Sequence, residues 1–213
     1  MNYANGLTVK LRHQERATET LRAAHCVVQL CVLAVAALLS LGSTTSARAQ
    51  GSPSIEYQVK AAFLFNFAKF VDWPPNSFPD EKTPITVCIF RYDPFGSALD
   101  DIIRGKNIHN RPFVARRIDE IGELKACQIV FVSAREDKLL PDILNNLKGV
   151  SALVVGEGGN FAERGGEIQF YLENNRMRFT VNVDAVQRAR LSISSKLLAL
   201  AKIVHDPEHT KGN

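Results

Sequence analysis

Three short runs carry no charged side chain: "PITVCIF" (84–90), "CQIVFVS" (127–133) and "SALVVG" (151–156). They are rich in β-branched residues and too short for core helices. They also lack the in-out alternation of a strand with one wet face. A strand apolar at every position needs cover on both sides, as in parallel sheets. Helical patterns lie between them. "DPFGSALDDIIRG" sets Leu99, Ile102 and Ile103 at helical spacing before a stop at Gly105, and "EDKLLPDILNNLKG" turns Leu139, Leu140, Ile143, Leu144 and Leu147 inward. "RPFVARRI" (111–118) alternates like a strand nearer an edge. The chain is therefore expected to form an α/β fold, with a mostly parallel central sheet covered by helices on both faces.

"EIQFYLENNRMRFTVNV" reads as an antiparallel C-terminal hairpin at one edge of that sheet. Ile168, Phe170 and Leu172 alternate before Asn174-Asn175, and Met177, Phe179 and Val181 alternate after it. "SSKLLALAKIV" is expected to be a helix capped by Ser194 or Ser195, and residues 205–213 a frayed tail.

The amino-terminal part has a different character. Lys10, Arg12, Arg16 and Arg22 precede an apolar run at 27–41, and Ala47 and Ala49 carry small-residue spacing. This is the pattern of a signal peptide, residues 1–49, cleaved after Ala49. The run is shorter than the roughly 20 residues of a membrane span. Five of 26 basic and two of 22 acidic side chains leave with the leader, so the remainder holds 21 and 20. Near-neutral charge argues against nucleic acid as a partner. Residues 50–55 are expected to be a flexible start and 56–204 a single domain.

Residues 56–72 read as a helix that "WPP" ends, because the residue before a proline leaves the helical region. Tyr57, Ala61, Leu64, Phe65 and Ala68 form one stripe; Val59, Phe63, Phe67 and Phe70 form another. One stripe can pack on the sheet. The other needs cover from the same domain, a second copy or another protein. Phe63, Phe67, Phe70 and Trp73 are thus possible interface residues.

Catalytic patterns are scarce. "GEGGNF" follows a buried strand, but Phe161 stands where a dinucleotide fingerprint needs its last glycine, so a turn is the simpler reading. His109 stands alone. His205 and His209 have Pro207 between them, which disfavours a helical metal site. Asp100-Asp101 and Asp119-Glu120 read as solvated pairs, and Arg116-Arg117 as a solvated edge. No metal or cofactor is expected. Cys26 and Cys31 lie in the leader, which leaves Cys88 and Cys127. In an exported domain these are either a bridge or two buried thiols. A sheet of order 2-1-3 makes their strands neighbours and allows the bridge.

"YQVKAAFLFNFAKFVDWP" resembles the opening signature of the YfiR family of exported bacterial proteins, and residues 158–204, with "LSISSKLL", resemble its closing signature. The resemblance implies a periplasmic α/β domain that tends to dimerise, is not an enzyme, and inhibits an inner-membrane diguanylate cyclase through the cyclase's periplasmic region. Cyclic di-GMP and biofilm formation fall as a result. It also implies an outer-membrane lipoprotein that can sequester the inhibitor. Cys88 and Cys127 look like one bridging pair of that family, and a second, closely spaced pair is missing here. The alternative expectation is a periplasmic small-molecule sensor, or a binding module for another membrane signalling protein, with its ligand crevice near "GEGGN".

Overall fold

A computed structural model describes residues 54–207. The expected leader and its cleavage site, residues 50–53 and residues 208–213 lie outside the described residues.

In chain order the helices are α1 (Ile55–Phe70), α2 (Ser97–Ile103), α3 (Leu140–Asn146), α4 (Val183–Arg188) and α5 (Ser195–Leu198). The strands are β1 (Val71–Asp72), β2 (Ile85–Phe90), β3 (Asn107–Ile108), β4 (Arg111–Ile118), β5 (Ile129–Val132), β6 (Leu153–Glu157), β7 (Ile168–Glu173), β8 (Arg176–Asn182), β9 (Ser192–Ile193) and β10 (Lys202–Val204). Eight strands make one sheet in the order β10-β8-β7-β6-β5-β2-β4-β3. Neighbours from β4 through β2, β5 and β6 to β7 run parallel, whereas β7 and β8 form the antiparallel hairpin. Asn174 and Asn175 both take positive φ at its turn, the left-handed pair that a two-residue hairpin requires.

The fully apolar strands divide their side chains between two cores. Val87, Ile89, Ile129, Phe131, Leu153 and Val155 face one, which α1 and α2 cover. Cys88, Phe90, Val130, Val132 and Val154 face the other, under Leu124, Leu140, Ile143 and Phe161. The expected α/β layering is thus what forms.

Helix α1 spreads its rings across the first face. Phe67 packs 5.6 Å from Phe170 and 5.1 Å from Phe179, and Phe63 lies within 6 Å of the same two rings. Phe65 meets Phe113 at 5.6 Å, and Tyr57 meets Phe95, which abuts Phe131. Each such pair adds roughly 0.5–1.5 kcal/mol beyond area burial. The second stripe is therefore largely covered by the domain's own hairpin. Phe67 is fully buried, which removes it as an interface residue, while Phe63, Phe70 and Trp73 are half-buried. Nor is the helix shielded all round: Ile55, Val59, Asn66 and Lys69 form an exposed line.

Three further differences lie near the carboxyl end. Residues expected to finish a long helix instead form short α5 and then β10, which pairs parallel with β8 and extends the sheet beyond the hairpin. Ser194 caps α5, as expected. Helix α4 was not anticipated; the Asn182 side chain caps it by accepting from the Ala185 N–H at 3.0 Å. The tail begins ordered, since the Asp206 carboxylate accepts from Asn182.

Glycines at two points serve the second core. A Cβ on Gly156 or Gly166 would sit 2.2 Å from the Phe161 ring, so both positions must lack one. Phe161 plugs the glycine-rich segment from within.

Replacing Phe67 with Ala should lower unfolding stability by about 3–5 kcal/mol, whereas Val59→Ala on the exposed line should change it by under about 1 kcal/mol. Urea denaturation of both variants checks the contrast.

Candidate functional site

The first turns of α1 seat polar groups over the carboxyl ends of the parallel strands, where open α/β sheets usually hold ligands. Lys60 is buried and pairs with Glu157 at the end of β6. Its ammonium also reaches Glu56 at 2.5 Å, one helical turn back. The Tyr57 hydroxyl donates to Glu157 at 2.9 Å, and the Ala134 N–H donates to the same carboxylate oxygen at 3.4 Å. Burial, and then the carboxylate it donates to, hold the Tyr57 hydroxyl protonated far above the usual phenol range. Removing one member of such a buried pair costs about 3–5 kcal/mol, because the other charge is left without compensation. Near "GEGGN" this cluster stands at one wall of an open hollow, while the Phe161 ring fills the space against Gly156 and Gly166.

Beside the cluster, a hollow of about 290 Å³ opens between α1 and the hairpin, lined by Glu56, Tyr57, Gly158, Phe170, Leu172 and Met177. Leu172 is 56 % exposed at its margin, and Val59 on the outer line of α1 is 38 % exposed. Single exposed apolar residues are ordinary. Here Leu172 lines a concave surface beside the only long helix among the described residues, and Val59 lies on that helix.

Cys88 and Cys127 are joined by a disulfide, with Cα atoms 5.9 Å apart. The bond ties β2 to the residue two before β5, and so staples two adjacent central strands. It closes a separation of 39 residues, for which chain entropy gives about 4 kcal/mol as a ceiling.

A second cavity lies on the other face, between α3 and α4. It measures about 610 Å³ and has largely apolar walls, among them Leu144, Leu147, Val150 and Val154. Glu167 lines it and is buried; its carboxylate accepts the Val154 N–H at 2.8 Å. Burial pushes this carboxyl up from 4.5 to about 8. Arg188 stands half-exposed beside it, paired with Asp206.

Several of the remaining sequence candidates are tied up within the chain. Arg117 donates twice to Asp100 at 2.7 Å and once to Asp93 at 2.9 Å. Asp101 pairs with Arg104, and His205 with Asp184 at 3.2 Å. His209 lies outside the described residues. Trp73 donates to the Gln128 carbonyl at 3.3 Å. Sequence reading missed Lys60, Glu157 and Glu167. The usable signals were a lysine inside an otherwise apolar helix face and an acid flanked by glycines and a strand.

These features describe an α/β domain whose helix α1 is locked by buried polar contacts over the carboxyl end of β6. A family described as YfiR/HmsC-like matches residues 57–202, and the chain belongs to that family. No curated protein matches it. Among solved structures it is similar to a conserved domain protein from Vibrio cholerae O1 biovar El Tor, at 8% identity and a TM-score of 0.46. That match covers 69% of this chain, which spans about three fifths (59%) of the other. Among the described residues, no helix is long and apolar enough to cross a membrane.

Cys88→Ser should lower the melting midpoint by an amount equivalent to up to about 4 kcal/mol, and a reductant should bring the native chain down to the same midpoint. Equal midpoints for both proteins under oxidising conditions would show that the bond adds nothing.

Glu167 yields a pH dependence of known sign. Between pH 4.5 and about 8 the folded chain keeps a proton that the unfolded chain releases. Stability should therefore fall as pH rises across that window, by on the order of a few kcal/mol in total. Glu167→Gln should remove the slope, and urea midpoints from pH 5 to 9 measure it.

Proposed function

We propose that this chain is a non-enzymatic periplasmic regulator. It binds the periplasmic sensor region of an inner-membrane diguanylate cyclase and holds that enzyme inactive, so that cyclic di-GMP and biofilm formation fall. Membership of the YfiR/HmsC-like family across residues 57–202 carries this reading. The Cys88–Cys127 bond fits an oxidising compartment and therefore the export expected from residues 1–49. Sequestration by an outer-membrane lipoprotein and formation of a homodimer belong to the same proposal.

The docking face is assigned to Val59 and the half-buried Phe63 on α1 and to Leu172, which lines the hollow between α1 and the hairpin. A mixed rim of exposed apolar side chains around a concavity suits an apolar anchor from a partner. Lys60 and Glu157 would act from beneath, by fixing the first turns of α1.

Deleting the gene should raise cyclic di-GMP several-fold, and the wild-type chain should restore it. Val59→Glu and Leu172→Arg should fail to restore it while keeping the native melting midpoint. Mass-spectrometric nucleotide levels measure the outcome; unchanged levels on deletion would refute inhibition, and full rescue by both variants would refute the assigned face.

A further inference from the structure

We propose that the cavity between α3 and α4 is a binding site for a small organic acid, with its apolar body against Leu144, Leu147, Val150 and Val154 and its carboxylate at the mouth with Arg188 and Lys148. The cavity, about 610 Å³, falls within the size range of small-molecule sites, and its walls are chiefly apolar.

Its charge is unevenly placed. Lys148 and Arg188 both line the cavity and are exposed at their tips. Arg188 is held in position by Asp206, which the buried Asn182 fixes in turn at 2.9 Å. Among the described residues, Lys148 has no ion-pair partner. Arg190 adds a third cation nearby, on the Gly149 carbonyl. Gly165 keeps the passage between Leu144 and Arg188 open: a Cβ there would lie 3.1 Å from Leu144 and 3.7 Å from the Arg188 guanidinium.

Glu167 is the one acid among the cavity's lining residues, and it is 5 % exposed. One of its oxygens is engaged by the Val154 N–H. Held neutral by burial, it places no like charge beneath an anion. An anionic headgroup at a cationic mouth, above an apolar chamber floored by an uncharged acid, leaves no buried charge unpaired. An amine of the same shape would meet the uncompensated charge of Lys148 on entry. The site is separate from the docking face, so it can fail while the proposed function stands.

The test uses protein purified from cells expressing the whole gene. It is titrated calorimetrically at pH 7 with 3-phenylpropionate, 3-phenylpropanol and 3-phenylpropylamine. Saturable binding of the carboxylate is expected, at least tenfold tighter than the alcohol or the amine. Lys148→Gln, a surface change that leaves folding intact, should weaken the carboxylate severalfold. Arg188→Gln should weaken it at least tenfold. Ala189→Phe, which fills the chamber, should abolish binding, and the melting midpoint of each variant reports whether it is folded. Three results would overturn the assignment: no saturable binding of the carboxylate, an amine that binds as well or better, or carboxylate affinity unchanged in folded Lys148→Gln and Ala189→Phe proteins.

Discussion

The structure depends on one contact, the seating of the Phe63 and Phe67 rings against Phe170 and Phe179. It joins the first helix to the last hairpin across more than 100 residues of sequence. The parallel strands β2, β5 and β6 are apolar on both faces and cannot stay in water. Without α1, that face would be left to α2 alone. Without the hairpin, Phe63 and Phe67 would have no floor. Each supplies the apolar area that the other needs, which is why a helix with so little amphipathic contrast is stable in this place.

A second layer of organisation is polar. Lys60 and Glu157 lock the start of α1 to the end of β6. Asn182 is fully buried; it caps α4, donates to the Ala162 carbonyl at 2.7 Å and to Asp206 at 2.9 Å. One side chain thus joins the glycine-rich loop, the hairpin's exit and the carboxyl-terminal segment. Buried polar groups cost free energy unless they are satisfied, so these contacts specify geometry more than they add stability. Their effect is to fix the start of α1 over the carboxyl end of β6.

Much of this was readable from residue order. Uninterrupted apolar runs announced two-sided burial, and Asn174-Asn175 announced the hairpin turn, because each signal is local and has one physical cause. The errors came where tertiary context decides. Phe67 looked like interface because a helix's own pattern does not say what covers it; the hairpin that does so lies a hundred residues away. "AKIV" has the apolar character of a helix end, yet the free edge of β8 offered it hydrogen bonds and drew it into a strand. The buried pair Lys60–Glu157 left hardly a trace, because partners 97 residues apart have no spacing rule. The cavity over Glu167 was equally invisible, since an empty volume belongs to no single segment.

The cystine bond has a consequence for how the molecule comes apart. It welds neighbouring strands at the middle of an eight-stranded sheet, whereas the outer margin ends in the three-residue β10, held on one side only. Thermal agitation will therefore peel the sheet from that margin inward, and the welded centre will be the last region to surrender its amide protons to solvent.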